Sequence, residues 1–191
     1  MTPNTRDMSV HHSSQSVEWN TPKWILELVS QFFDSDFDGP WPRTRHPIDL
    51  DPSSDHGHWV PAERHYTKQD NGLLLPWSGK VFCNPPYGAD VPKWVDKACR
   101  EYNDGEPDEI IMVLPGRPGS KWFAQISDQH AICFLSHRLR FVVDGVPGGP
   151  APFPTAIAYL GGRLRQFQTT FEPHGSCICP LFWAFNTGGN T

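Results

Sequence analysis

No run of about 18 apolar residues occurs in the chain, so the sequence offers no membrane span. The opening "MTPNTRDMSVHHSSQS" has no apolar core, so it is not a secretory signal. Residues 1–16 read instead as a flexible arm ahead of a single domain over 17–191. Internal repeats and low-complexity blocks are also lacking, which excludes solenoids and long linkers. A paired cysteine framework is missing too. Five cysteines, at 83, 99, 133, 177 and 179, are an odd number and read as reduced thiols in a cytoplasmic protein. Cys177 and Cys179 lie near His174, but a C-x-C spacing with one histidine falls short of a zinc ligand set, so no metal is expected. The nine histidines are scattered without ligand spacing. An excess of positive charge is lacking as well: the net charge is -5.

What is present is enough apolar and aromatic material for one core, with 38% hydrophobic residues, 12 Phe and 8 Trp. The charge is unevenly spread. Residues 1–110 carry 18 acidic and 10 basic side chains, whereas residues 115–165 carry six basic and two acidic. That asymmetry is either surface scatter or an acidic and a basic half meeting at one cleft.

"TPKWILELVSQFF" places Trp24, Ile25, Leu28, Val29, Phe32 and Phe33 at helical spacing, with Thr21 as N-cap and Pro22 in the first turn. Residues 34–47, rich in Pro, Asp and Gly, are a loop. "IDLD" is a short strand ending at Asp51-Pro52, "KVFC" a strand, and "VPKWVDKACREY" a helix burying Val91, Trp94, Val95 and Ala98. "EIIMVLP" and "AICFL" are apolar runs of the kind that strands covered on both faces show, with a short helix, "SKWFAQISD", between them. "RLRFVVDGVPGGPAPFPTAIAYLG" reads as two strands around a Gly/Pro-rich loop over 144–154. Strands alternating with helices give an α/β fold with a mostly parallel sheet and a C-terminal antiparallel hairpin. Ligands in such sheets bind outside the carboxyl ends of the strands. Asp51-Pro52 and Asn84-Pro85 both fall at such ends.

"FCNPPYG" is the stretch with the clearest chemistry. Asn84 carries an amide carbonyl, and Pro85 has a carbonyl but no N–H. Two acceptors held by a stiff double-proline loop suit an amino group with two hydrogens to give. Tyr87 supplies either a face for a planar ring or core packing.

"NPPY" resembles the catalytic motif of the S-adenosylmethionine-dependent amino-methyltransferases, in the Asn form found for adenine N6. "DPSSDHGH" is similar to their D-P-x-x-G-x-G cofactor loop, with Asp55 in place of the first glycine and the second shifted. "QDNGL" resembles a later acidic element, and "EWNTP" an N-terminal cofactor motif. "NGLLLPWSGKVFCNPPYGADVPKWVDKA", "VLPGRPGSKWF" and "FLSHRLRF" complete a resemblance, over about residues 17–162, to the phage-type DNA N6-adenine methyltransferases, the Dam-like family.

The resemblance implies a Rossmann-like methyltransferase fold, shortened between the cofactor loop and the NPPY strand. It implies a catalytic set of Asn84, Pro85, Pro86 and Tyr87. Their target is an adenine flipped out of double-stranded DNA and methylated by direct in-line displacement. Cofactor contacts fall to Trp19, Thr21, Pro22, Asp51, Pro52 and Asp70. Thr21-Pro22 would meet the methionyl carboxylate, and Asp70 the adenine amino group. Asp49 and Asp55 are the candidates for the ribose hydroxyls. Arg117, Lys121, Arg138 and Arg140 are the candidates for DNA phosphates, the last two alternating along a strand. The setting implied is the cytoplasm, that of a host if the gene is phage-borne. Cytosine N4, another amino group, or a silent cofactor-fold module are the competing readings.

Overall fold

In the computed structural model, residues 19–34, 46–143 and 145–180 are described. The arm expected over residues 1–16 and most of the loop expected over 34–47 lie outside them. The elements in chain order are α1 (Lys23–Phe33), β1 (Ile48–Asp51), β2 (Ala62–His65), β3 (Gly79–Cys83), α2 (Val91–Asp104), β4 (Pro107–Pro115), α3 (Lys121–Ser127), β5 (Ala131–Leu135), β6 (Val142–Val143), β7 (Val146–Pro147), β8 (Thr155–Leu160), α4 (Leu164–Phe171), a 3-10 turn (Glu172–His174) and β9 (Gly175–Ile178).

Seven strands form one sheet in the order β2-β1-β3-β4-β8-β5-β9, and β6 with β7 forms a separate hairpin. Strands β2, β1, β3 and β4 are mutually parallel. β8 runs antiparallel to both β4 and β5, and β9 antiparallel to β5. Strands β1 to β5 therefore all point one way. From β1 the chain moves outward to β2 and then returns to the opposite side of β1 as β3. That reversal is a topological switch point, where the loops leaving neighbouring strands diverge and a crevice opens.

β4 shows why the apolar runs form buried strands. Ile110, Met112 and Leu114 face one core, shared with Val91, Trp94 and Val95 of α2 and Phe123 of α3. Ile111 and Val113 face the other, shared with α1 and with Phe167 and Phe171 of α4. Alternation sends successive side chains to opposite faces, and both faces are covered, so every position from Ile110 to Leu114 is apolar. Each fully buried large side chain contributes about 1.5–3 kcal/mol.

Several expectations are corrected. β8 does not pair with residues 138–143 as a hairpin partner but inserts between β4 and β5; the hairpin itself is tighter, pairing Val142 with Pro147 and Val143 with Val146. Arg138 and Arg140 precede β6 and lie in no ladder, although the alternation holds: both are exposed while Leu139 and Phe141 are buried. Trp24 is 43% exposed, and Leu26 takes the buried position on α1. Pro22, not Thr21, is the N-cap, with no side-chain capping bond. β2, α4 and β9 are additional. β2 and β9 are the two edge strands of the sheet and bury little, and α4 buries only Phe167 and Phe171, four residues apart. Among the described residues no helix is long and apolar enough to cross a membrane.

A polar cluster joins the far end of β4 to the segment before α4. The Arg163 guanidinium donates to both carboxylate oxygens of Glu109, Tyr159 donates to the same carboxylate, and Arg163 sits 4.6 Å over the Phe32 ring. Hydrogen bonding to Glu109 pushes the Arg163 pKa up, while burial first and Glu109 second push Tyr159 up. Arg163→Ala leaves Glu109 buried without its cation and is expected to cost on the order of 3 kcal/mol, read as a shifted midpoint in urea denaturation. His130 is buried, edge-on to Tyr102, and burial lowers its pKa to about 4 from the ordinary ~6.5. The native state thus holds it neutral while the unfolded chain takes a proton. Stability is expected to fall as pH drops from about 6.5 toward 4. His130→Phe should flatten that fall across a pH series of denaturation curves; an unchanged slope would discount His130.

Candidate active site

The switch point is where the site forms. Parallel pairing sets Leu50 of β1 opposite Val81 of β3, so the loops beginning at Asp51 and Asn84 leave the sheet side by side. A cavity of about 750 Å³ opens between them, within the roughly 300–1,000 Å³ of small-molecule sites. Its wall brings together Trp19, Thr21, Asp51, Pro52, Asn84, Pro85, Pro86 and Tyr87. Pro22, Asp70, Arg117, Lys121, Arg138 and Arg140 do not line it.

The Asn84 amide is held one way round. Its NH2 donates to the Trp19 carbonyl at 2.8 Å, and a carbonyl can only accept. The side-chain oxygen is therefore turned elsewhere, and it is buried with no hydrogen-bond partner. Leaving a buried acceptor unmet costs roughly 1–3 kcal/mol. No described donor meets the Pro85 carbonyl either. The Asn84 main-chain carbonyl is occupied, since the Ser53 hydroxyl lies 3.1 Å from it. That contact ties the β1 loop to the β3 loop.

The Trp19 carbonyl is itself fixed by the segment that carries it. Asn20 and Val142 exchange two backbone hydrogen bonds, at 2.9 and 2.8 Å. The Trp59 indole N–H donates to the Thr21 carbonyl at 2.7 Å. Residues 19–21 thus form a strap clamped at both ends across the cavity. The Thr21 hydroxyl, freed from capping, is the second buried polar atom of this wall without a partner.

Tyr87 is anchored at its tip, donating to the Val113 carbonyl at 3.2 Å. Its ring meets Phe141 and Phe153 edge-on, and Trp19 stacks on Phe153. Burial pushes the Tyr87 phenol well above its ordinary pKa and likewise pushes the Cys83 thiol up. Neither group is a nucleophile at neutral pH.

The β1 loop is built around Asp51, whose carboxylate is buried and accepts from the Ser53 N–H at 3.1 Å, with His65 Nδ1 3.9 Å away. Asp55 accepts from the Trp59 N–H and lines the cavity. Asp49 instead accepts from the Lys80 N–H, bracing β1 to β3. The glycine this loop needs is not within "DPSSDHGH". Gly57 is exposed, and the left-handed position is taken by His58 at φ 49. The close approach occurs at Gly72, where a Cβ would stand 2.0 Å from the Pro52 carbonyl oxygen.

Asp70 is exposed and turned back on its own chain. Its carboxylate accepts from the Thr67 N–H at 2.8 Å and from the Thr67 hydroxyl at 2.7 Å, which holds it below its ordinary pKa. The turn so fixed contributes Thr67 and Lys68 to the cavity wall. The basic candidates lie along the same carboxyl edge of the sheet but outside the cavity: Arg117 and Lys121 follow β4, and Arg138 and Arg140 follow β5. The acidic and basic halves therefore do not share one cleft. Among the described residues no cluster of metal-ligating side chains occurs. Cys177 faces Cys133 across the β5–β9 ladder. Ser53, Trp59 and Phe153 escaped sequence reasoning, because each acts through a contact distant in the chain.

An α/β sheet whose β1 and β3 loops meet at a switch point beside a cavity of small-molecule size is the setting in which α/β enzymes hold their ligands. The family model described as DNA N-6-adenine-methyltransferase (Dam) matches residues 9–151, and the chain belongs to that family. It is an enzyme that methylates adenine N6 in DNA, and its family implies S-adenosylmethionine as donor. No curated protein matches the chain significantly.

Gly72→Ala drives a methyl group into the Pro52 backbone. Overpacking of this kind costs about 1–3 kcal/mol and should displace the β1 loop. The variant is expected to melt earlier and to bind S-adenosylhomocysteine more weakly than the wild type by calorimetric titration. Wild-type affinity in the variant would show that the loop tolerates the shift.

Proposed function

We propose that the cavity between the strap and the β1 loop takes S-adenosylmethionine, and that Asn84 and Pro85 hold the amino group of an adenine flipped out of the duplex. The observation that carries this reading is the Asn84 side-chain oxygen, buried and unpartnered while its NH2 donates to the Trp19 carbonyl. The bond to Trp19 is made before any substrate arrives, so the acceptor is preorganised. With the Pro85 carbonyl it forms a pair that matches the two hydrogens of an exocyclic amine. Accepting both hydrogens draws the nitrogen lone pair out of conjugation with the ring. The amine becomes nucleophilic without a base removing a proton first.

The residues fit the cofactor. The Thr21 hydroxyl is an unused buried polar group on the wall, and Pro22 begins the first turn of α1, whose free amides favour a carboxylate. Trp19, Asp51 and Pro52 complete that side, Asp55 is the acid nearest in kind to a ribose partner, and Asp70 acts through the turn it fixes at Thr67. When bound, S-adenosylmethionine supplies a methyl group activated by a sulfonium charge. Tyr87, fixed by its hydroxyl, offers its ring to the flipped base, and Pro86 stiffens the loop between. Arg117 and Lys121, exposed on the same edge of the sheet, contact DNA phosphates.

Asn84→Ala is expected to lower methyl transfer by at least ~100-fold, the scale on which single preorganised polar groups act. Affinity for S-adenosylhomocysteine should stay within a few-fold. Modified-base sequencing of DNA from expressing cells reads the first quantity and thermal-shift titration the second. Wild-type levels of N6-methyladenine from Asn84→Ala would sink the role assigned to it.

A further inference from the structure

A second depression, of about 390 Å³, lies beside the first on the carboxyl edge of the sheet. Trp24, His137, Arg138, Arg140, Pro173 and His174 line it, and no carboxylate does. Trp24 is 43% exposed, and its ring meets that of His174, with centroids 5.4 Å apart at a tilt of 36°. A large indole on the first turn of a helix is thus left partly open to solvent in a depression that two arginines also line. Arg138 is the better held of the two arginines. Arg138 donates one N–H to the Ala151 carbonyl at 3.0 Å, and Arg140 donates one to the Gly148 carbonyl at 3.5 Å. An arginine has five N–H donors, so most of the donors on each guanidinium stay available.

The two depressions share their partition. Thr21 lines the first and Trp24 the second. Consecutive Cα atoms are 3.8 Å apart, so these residues lie within about 11 Å of each other. On the other side, Arg140 lines the second depression while its neighbour Phe141 packs on Tyr87 and Trp19 of the first. One strand of DNA advances 3.4 Å per nucleotide, so the separation is on the order of three steps.

We propose that this second depression holds a nucleotide of the same DNA strand about three positions from the target adenine, its base against Trp24 and its phosphate on Arg138 and Arg140. This rests on the reading of the first cavity as the methyl-transfer site. An aromatic face beside arginine guanidinium groups is the chemistry that single-stranded nucleotides meet in their binding grooves. Held there, this nucleotide fixes the register that brings one particular adenine to Asn84. Trp24 and His174 then help to seat the DNA strand, and they do so apart from the cofactor.

The test uses the full chain and a fluorescent short duplex carrying adenine in the context that the wild type methylates. Trp24→Ala should raise the Kd for this duplex by roughly 10-fold or more, as loss of a stacked base does; Trp24→Phe should recover part of it. Arg138→Gln and Arg140→Gln should each reduce the slope of log Kd against log salt by about 1. Affinity for S-adenosylhomocysteine should stay within about twofold in all four, on the additivity of separate sites. Duplex affinity unchanged in both Trp24→Ala and His174→Ala, with cofactor affinity intact, would overturn the proposal. So would a loss of duplex and cofactor affinity in parallel. A wild type that binds S-adenosylhomocysteine but methylates no adenine would defeat the first reading instead, and a random-sequence duplex would then measure the depression by the same variants.

Discussion

The parallel pairing of β1 with β3 is the constraint on which the site depends. It brings the ends of two strands, far apart in the chain, to neighbouring positions on one edge. The reversal of chain direction there opens the crevice. Short contacts then fix the segments around it: the Ser53 hydroxyl against the Asn84 carbonyl, the Lys80 N–H on Asp49, and the Pro52 carbonyl seated on Gly72. A one-residue slip of register would turn Leu50 and Val81 out of their core and separate Asp51 from Asn84.

Preorganisation in this protein comes from backbone more than from side chains. The group that orients Asn84 is a main-chain carbonyl, that of Trp19. The group that holds Tyr87 is another, that of Val113. The strap carrying Trp19 is tied to β6 by a two-way bridge and to the β1 loop by an indole N–H. Such contacts are indifferent to the side chain that provides the carbonyl. They keep the amide oriented although its oxygen is left unsatisfied, a state that a looser loop would relax.

How much of this was legible follows from the kind of signal each part leaves. "KVFC", "EIIMVLP" and "AICFL" announce strands because both faces of the sheet are covered, so no polar residue interrupts them. The NPPY loop announces itself because its rigidity is written in two prolines. β2 and β9, at the edges, carry little apolar signal, and α4 shows its core face in two phenylalanines only. "TAIAYL" reads as a strand, but its place between β4 and β5 is a long-range pairing with no local mark. The glycine expected in "DPSSDHGH" is supplied by Gly72 from a separate turn, a tertiary packing that motif spacing cannot express. Asp70 fits the acidic position of its motif in sequence, yet its carboxylate satisfies Thr67, which lies three residues before it.

The late insertion of β8 has a consequence for how the protein is made. Until residue 155 has left the ribosome, β4 and β5 present open inner edges to each other, an invitation to pair with other chains. The β1–β3–β4 half can assemble early from neighbouring segments, carrying Asn84 with it. The roof of the cavity cannot: Phe153 arrives just ahead of β8, and Phe141 is anchored through a bridge back to Asn20. The acceptor clamp and its aromatic roof are thus built at opposite ends of the folding sequence, and the site is completed only as the centre of the sheet closes.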